Sequence, residues 1–231
     1  MRFGVVVFPG SNCEQDAVHA VRYLGFDADY IWHGDTDLSG FDAIVLPGGF
    51  SYGDYIRCGA VARFSPVMAE VVRFADRGGP VIGICNGFQI LTEAHMLPGA
   101  LLRNRGLKFI CREVPLRVED TVCEWLDVPP GTVLHVPINH NEGNYVCDEE
   151  TLAELNECGR VVLRYCAPDG TVDPERAPNG AIDSIAGICN RAGNVFGLMP
   201  HPERVVDPVS GRIDGQAFFT AIVRRAAELA G

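Results

Sequence analysis

The chain has 231 residues, 47% of them hydrophobic, which is enough for one sizeable core and fits one α/β domain over residues 1–231. A net charge of −11 and a pI of about 4.9 argue against nucleic acid or an anionic membrane as the main partner. No apolar stretch is long enough to span a bilayer and no signal-peptide pattern precedes the first apolar run, so the expected location is the cytoplasm. The nine cysteines agree with that location: they are scattered, odd in number and contain no C-x-x-C pair, so neither a disulfide framework nor a zinc site is expected. Lys108 is the only lysine beside eighteen arginines. It sits in Gly106-Leu107-Lys108-Phe109, which is not a Walker-A loop, so this chain does not bind ATP by that route and a reaction needing ATP would draw on another protein.

Taken in chain order, Arg2 to Phe8 is a short apolar run predicted to form a buried parallel strand. Pro9 to Asn12 breaks it, and Ala17, Val18, Val21 and Leu24 recur at helical spacing up to Gly25. Strands are predicted at 29–32, 43–46 and 81–84, with a helix over Val61 to Arg77 closed by Gly78-Gly79. This strand–helix alternation predicts a doubly wound, mostly parallel sheet flanked by helices. Ligands of such sheets bind beyond the carboxyl ends of the strands, where the glycine-bearing loops 9–12, 47–54 and 83–87 would meet. Extra strands are predicted in the C-terminal half at 108–118, 132–137, 160–165, 184–189 and 195–199, with a short helix at 152–156 and a closing helix from about 215 to 229. The Pro-, Asp- and Gly-rich stretch 167–180 reads as an exposed loop.

Gly83-Ile84-Cys85-Asn86-Gly87 carries the chemistry. It follows Val81-Ile82 and opens a helix-like segment, which is the pattern of a nucleophile elbow with cysteine in the place of serine. Such a turn exposes the sulfur at a helix N-terminus and leaves the next backbone N–H free for an oxyanion. An isolated cysteine is more often a small packing residue, which is how Cys13 and the others read; the two flanking glycines set Cys85 apart. Met199-Pro200-His201-Pro202-Glu203 places a histidine between prolines at a strand end, with a carboxylate two residues on that can orient the ring. Cysteine, histidine and glutamate in these roles suit acyl transfer through a thioester. Leu46-Pro47-Gly48-Gly49-Phe50-Ser51-Tyr52-Gly53-Asp54 reads as an oxyanion loop rather than an ordinary turn, because side-chain-free backbone can approach a tetrahedral centre. His140 and Glu142 form a rival dyad, read as a polar turn near the mouth of the site with substrate contact left open. The basic run Arg103, Arg105, Lys108 and Arg112 reads as a solvated face, or as a patch for an acidic partner surface.

Together these residues resemble the class I (triad) glutamine amidotransferases. Phe8-Pro9-Gly10-Ser11-Asn12-Cys13, Pro47 through Tyr55 with Arg57-Cys58-Gly59-Ala60, Gly83 through Gln89, Leu107-Lys108-Phe109-Ile110-Cys111-Arg112 and Met199 through Arg204 carry the likeness nearly end to end. Within the class, Phe50-Ser51-Tyr52-Gly53-Asp54 and Leu107 through Arg112 are similar to the PurQ-type family of glutaminase subunits. The resemblance implies that Cys85 attacks the side-chain amide of glutamine, that His201 moves the proton and that Glu203 orients His201. It further implies that the N–H groups of Gly49 and Asn86 hold the oxyanion and that Gln89 lines the glutamine pocket. No cofactor and no metal is implied in this chain; ATP and magnesium belong to a large synthetase subunit that receives the ammonia and amidates formylglycinamide ribonucleotide, with a small third subunit in bacterial members. A stand-alone cysteine hydrolase, such as a γ-glutamyl hydrolase or a DJ-1-like protein, and a non-catalytic scaffold are the competing readings. An α/β-hydrolase would place its acid between nucleophile and histidine, whereas here the carboxylate follows the histidine.

Overall fold

The computed structural model describes residues 1–126, 128–174 and 177–230. Strands β1 (Arg2–Val7), β2 (Asp27–Trp32), β3 (Ala43–Leu46) and β4 (Val81–Ile84) alternate with helices α1 (Glu14–Tyr23) and α2 (Pro66–Asp76). Then come α3 (Asn86–Glu93), β5 (Ala100–Leu102), β6 (Ile110–Val118), β7 (Val133–His140), β8 (Asn144–Val146) and α4 (Glu149–Glu157). The chain finishes with β9 (Val161–Tyr165), β10 (Ile185–Cys189), β11 (Val195–Leu198) and α5 (Gln216–Ala230). Nine strands form one sheet in the order β2-β1-β3-β4-β11-β10-β9-β6-β7. The β2-β1-β3-β4-β11 part is parallel. From β10 onward the extra C-terminal strands join the same sheet as an antiparallel extension.

Sequence explains the layering. Every residue of β3, β4 and β11 is buried, as strands covered on both faces require, and their apolar runs are unbroken apart from glycine. By contrast β7, at the sheet edge, alternates half-buried and buried residues along its length. Phe3, Phe8, Phe88, Phe196, Phe218 and Trp125 fill the core. Among the described residues no helix is long and apolar enough to cross a membrane.

Three sequence expectations need correction. The span 61–77 is not one helix: a 3-10 turn at Ala62–Phe64 ends at Ser65, and α2 starts at Pro66. Proline has no N–H to donate and favours extended backbone in the residue before it; Ser65 adopts it, with φ −62° and ψ 142°. The strand expected at 132–137 runs on through His140, so the polar residues Asn139 and His140 are strand rather than turn. The small antiparallel pair β5–β8 was not expected at all. Within the 167–180 loop, Glu175 and Arg176 lie outside the described residues.

Candidate active site

Four loops leave the carboxyl ends of the parallel strands and converge. Cys85 follows β4, and its N–H donates to the Leu198 carbonyl of the neighbouring β11 at 2.7 Å. That bond holds the cysteine at the level where β11 releases Met199 and turns to His201. Cys85 has φ 51° and ψ −102°, a strained conformation for an L-residue that the surrounding packing must impose. Gly83 and Gly87 make it possible. A Cβ on Gly87 would lie 2.7 Å from the Leu46 carbonyl carbon of β3 and closer still to its oxygen. A Cβ on Gly83 would lie 2.6 Å from the Gly87 oxygen. Strand and helix therefore approach at distances that no side chain allows.

The β6–β7 ribbon reaches back over this edge. The His201 N–H donates to the Pro137 carbonyl at 2.8 Å, and Cys85 Sγ lies 3.8 Å from the Asn139 carbonyl. Cys85, His201, His140, Asn139, Gly49 and Gln89 thus line one cavity of about 300 Å³, together with Cys13, Asp54, Cys58, Arg103 and Glu142.

His201 is 1% exposed, and its Nδ1 lies 2.6 Å from Glu203 Oε1, whose side chain is wholly buried. Burial alone would lower the imidazole pKa; the Glu203 carboxylate and then the Cys85 sulfur outweigh it and hold His201 well above its ordinary value. With Nδ1 committed to Glu203, Nε2 is the nitrogen left for the cavity, and it has no hydrogen-bond partner among the described residues. The arrangement supplies a thiol at a helix N-terminus, a base beside it and a carboxylate orienting that base.

The loop after β3 is held from several sides. Its glycine, Gly49, has φ +151°, and a Cβ there would sit 2.8 Å from the Asn12 nitrogen. Beyond it, Tyr52, Asp54 and Ile56 all have positive φ. Ties over-determine this conformation: the Ser51 N–H donates to Asn86 Oδ1 at 3.0 Å, and the Tyr52 hydroxyl meets His33 Nδ1 at 2.9 Å and Ser65 Oγ at 2.8 Å. Asn86 Nδ2 donates to Gln89 Oε1 at 2.8 Å, and Gln89 Nε2 donates to the Glu142 carbonyl at 2.5 Å. One side-chain network thus joins the loop, α3 and the turn after β7.

The rival dyad does not form. His140 Nδ1 lies 3.0 Å from Asn104 Oδ1, whereas Glu142 accepts from the Cys58 thiol at 2.6 Å and stands 3.5 Å from Arg103 Nε. Burial pushes Cys58 upward, helped by the hydrogen bond to Glu142 and the charge of Asp54. Burial likewise raises Asp54, with Glu142 adding to it and the Cys58 hydrogen bond opposing it.

Sequence reasoning missed Cys13, Cys58 and Arg103 as cavity residues, whereas Asp54 belongs to the loop expected there. Cys13 is buried, as a packing residue should be, yet it accepts from Arg204 Nη2 at 3.1 Å, and its Sγ lies within 4.8 Å of donor atoms of both His201 and Glu203. Among the described residues these three are the one group of donors close enough together to share a metal ion.

The site gathers a thiol, an imidazole and a carboxylate at the edge of a parallel sheet. Residues 1–218 match the CobB/CobQ-like glutamine amidotransferase domain, and the chain belongs to that family. It is 57% identical over 228 residues to the phosphoribosylformylglycinamidine synthase subunit PurQ of Gloeobacter violaceus, covering 98% of each chain. The same-named subunit of Koribacter versatilis is 56% identical, over 96% of this chain and 97% of that one. Among solved structures, PurLQS from Thermotoga maritima contains a chain that superposes with a TM-score of 0.85 at 43% identity, over 97% of this chain and 98% of that one.

Proposed function

We infer that this chain is the glutaminase subunit of phosphoribosylformylglycinamidine synthase. Cys85 transfers its thiol proton to His201, and its sulfur attacks the side-chain carbonyl carbon of glutamine. The tetrahedral oxyanion is held by the N–H groups of Gly49 and Asn86. As the carbon–nitrogen bond breaks, His201 returns the proton to the leaving nitrogen, which departs as ammonia. Water, activated by His201, then adds to the γ-glutamyl thioester; the carbon–sulfur bond breaks and glutamate and the free thiol result. Glu203 keeps one face of the imidazole fixed throughout, and Gln89 lines the side of the pocket that takes the substrate.

Ammonia passes to a large synthetase subunit, where ATP and magnesium activate the amide oxygen of formylglycinamide ribonucleotide. A small third subunit completes the assembly, a reading that the likeness to PurLQS from Thermotoga maritima supports. The chemistry assigned to this chain needs a thiol, a base, a carboxylate, N–H donors and water, and no cofactor of its own. We place the protein in the cytoplasm, because nine scattered cysteines without a paired spacing suit a reducing compartment.

The observation that best supports this reading is the convergence of the strained Cys85 turn and the Glu203-bound His201 on one cavity. A stand-alone hydrolase would use the same groups but would not need a synthetase. Reconstituting Cys85→Ala with its synthetase partners separates the two. Glutamine-dependent amidine formation should be abolished while synthesis driven by added ammonium chloride continues. Glutamine-dependent synthesis that survived the substitution would refute the assignment.

A further inference from the structure

His140 is 3% exposed and lines the same cavity as Cys85 and His201, yet the chemistry above gives it no task. Its protonation pattern follows from its neighbours. Asn104 is fully buried, and its Nδ2 donates to the carbonyls of Lys108 and His140, each at 2.9 Å. Its Oδ1 is therefore the acceptor end, as the Gly143 N–H donating to it at 3.1 Å independently requires. His140 Nδ1 lies 3.0 Å from that same oxygen, so Nδ1 must carry the hydrogen. In the neutral ring Nε2 is then a bare lone pair. That atom is buried and has no hydrogen-bond partner among the described residues. Gly143 packs against the ring so closely that a Cβ there would sit 2.7 Å from Nε2, which fixes the ring plane. Burial, and then the charge of His201, lower the His140 pKa to about 4, so the ring is neutral near pH 7.

A buried, unpartnered acceptor carries a desolvation penalty unless a donor arrives. Glutamine bound for attack by Cys85 would bring its carboxamide, and then ammonia, into the cavity that His140 lines, and a small ring shift would open Nε2 to it. We propose that His140 Nε2 is the acceptor for an N–H of the departing ammonia, making it the first holding site for ammonia after the carbon–nitrogen bond breaks. The inference rests on the glutaminase reading of this cavity. A neutral acceptor suits the task, because ammonia is a much stronger base than imidazole. A protonated histidine here would hand it a proton and turn a nucleophile into ammonium.

Two measurements test this. In the native full-length chain with ¹⁵N-labelled histidine, long-range proton–nitrogen correlation should show His140 as the Nδ1–H tautomer. Its Nε2 resonance should move saturably when ammonia is added at alkaline pH, and should not move with trimethylamine, which has no N–H when neutral. An Nε2–H tautomer, or an Nε2 signal indifferent to ammonia, overturns the proposal. In the second measurement, His140→Asn keeps a donor towards Asn104 but removes the cavity acceptor, whereas His140→Gln can place an amide oxygen where Nε2 stood. Glutaminase kcat should fall about tenfold or more in His140→Asn with KM changed less than about threefold, and His140→Gln should recover most of it. The opposite ranking would mean that His140 serves only to brace Asn104, and would sink the idea. Should both variants fail to fold, the native tautomer and ammonia titration decide alone. Failure of Cys85 to react with a glutamine-mimicking electrophile would instead count against the glutaminase reading, leaving the His140 tautomer result intact.

Discussion

Asn86 Oδ1 accepts the Ser51 N–H at 3.0 Å, so the residue next to Cys85 holds the loop that carries Gly49. Both N–H groups assigned to the oxyanion hole are thus positioned through one asparagine, with its backbone at the helix start and its side chain on the loop. Removing that side chain in Asn86→Ala leaves the Ser51 N–H, on a residue 2% exposed, without its acceptor. Such a loss costs about 1–3 kcal/mol of stability. Glutaminase kcat should drop by about a hundredfold, in line with the loss of an oxyanion donor. Asn86→Asp keeps an acceptor for Ser51 but loses the donor to Gln89 Oε1 and buries a carboxylate near Asp54, so it should be no more stable than Asn86→Ala; chemical denaturation of both variants checks the ranking.

Gly87→Ala is expected to be far more damaging than its single methyl suggests. The added carbon would overlap the Leu46 carbonyl of β3, which is backbone and cannot rotate aside. Overpacking costs about 1–3 kcal/mol, and a clash with backbone belongs at the upper end of that range. Gly131→Ala is the matched control, since nothing lies within 4 Å of a Cβ there, although its φ of +86° leaves a smaller strain. Comparing urea midpoints of the two variants measures the difference.

Stability should depend on pH through His201 with a definite sign. Its folded pKa is raised, chiefly because the charges of Glu203 and Cys85 outweigh burial. A raised histidine pKa contributes stability that is complete below the unfolded value of about 6.5 and is lost as pH rises through the folded value. Glu203→Gln removes the main source. The stability gap between parent and variant should therefore be widest near pH 6 and shrink at alkaline pH, as denaturant midpoints across that range would report. A gap that grew with pH would contradict the assignment.

His140 should act in the opposite sense. Its folded pKa is about 4, so below about pH 6.5 the unfolded chain takes up a proton that the folded chain refuses. The protein loses stability as pH falls from there to about 4, by up to about 3 kcal/mol from this group. His140→Asn should flatten that part of the pH–stability curve relative to the parent, and an unchanged slope would show that the ring titrates normally.

What the sequence made legible was local. The elbow around Cys85 and the His201-Pro202-Glu203 turn each lie within a few residues, so spacing alone specified the strand and the turn, although Cys85, expected to be exposed there, is buried, at 5% exposure. The misread elements show the limits of periodicity. Apolar spacing continues through Ser65-Pro66 although the helix cannot, and β5 and β8, at three residues each, are too short for a period of two to register. What stayed hidden was contact over long sequence distances. Nothing near Cys13 in sequence signals Arg204, 191 residues away, and nothing near His140 signals Asn104, which fixes its tautomer from 36 residues away. Cys13 offered one usable clue, its position just beyond a parallel strand, where such sheets gather their ligands.

The most direct test of the central claim is to treat the purified chain with a diazo-ketone analogue of glutamine and map the adduct by peptide mass, with and without excess glutamine. The account expects one adduct, on Cys85, suppressed by glutamine and absent from Cys85→Ala. Labelling of another cysteine in preference to Cys85, or labelling of Cys85 that glutamine does not suppress even with the synthetase partners present, would contradict it.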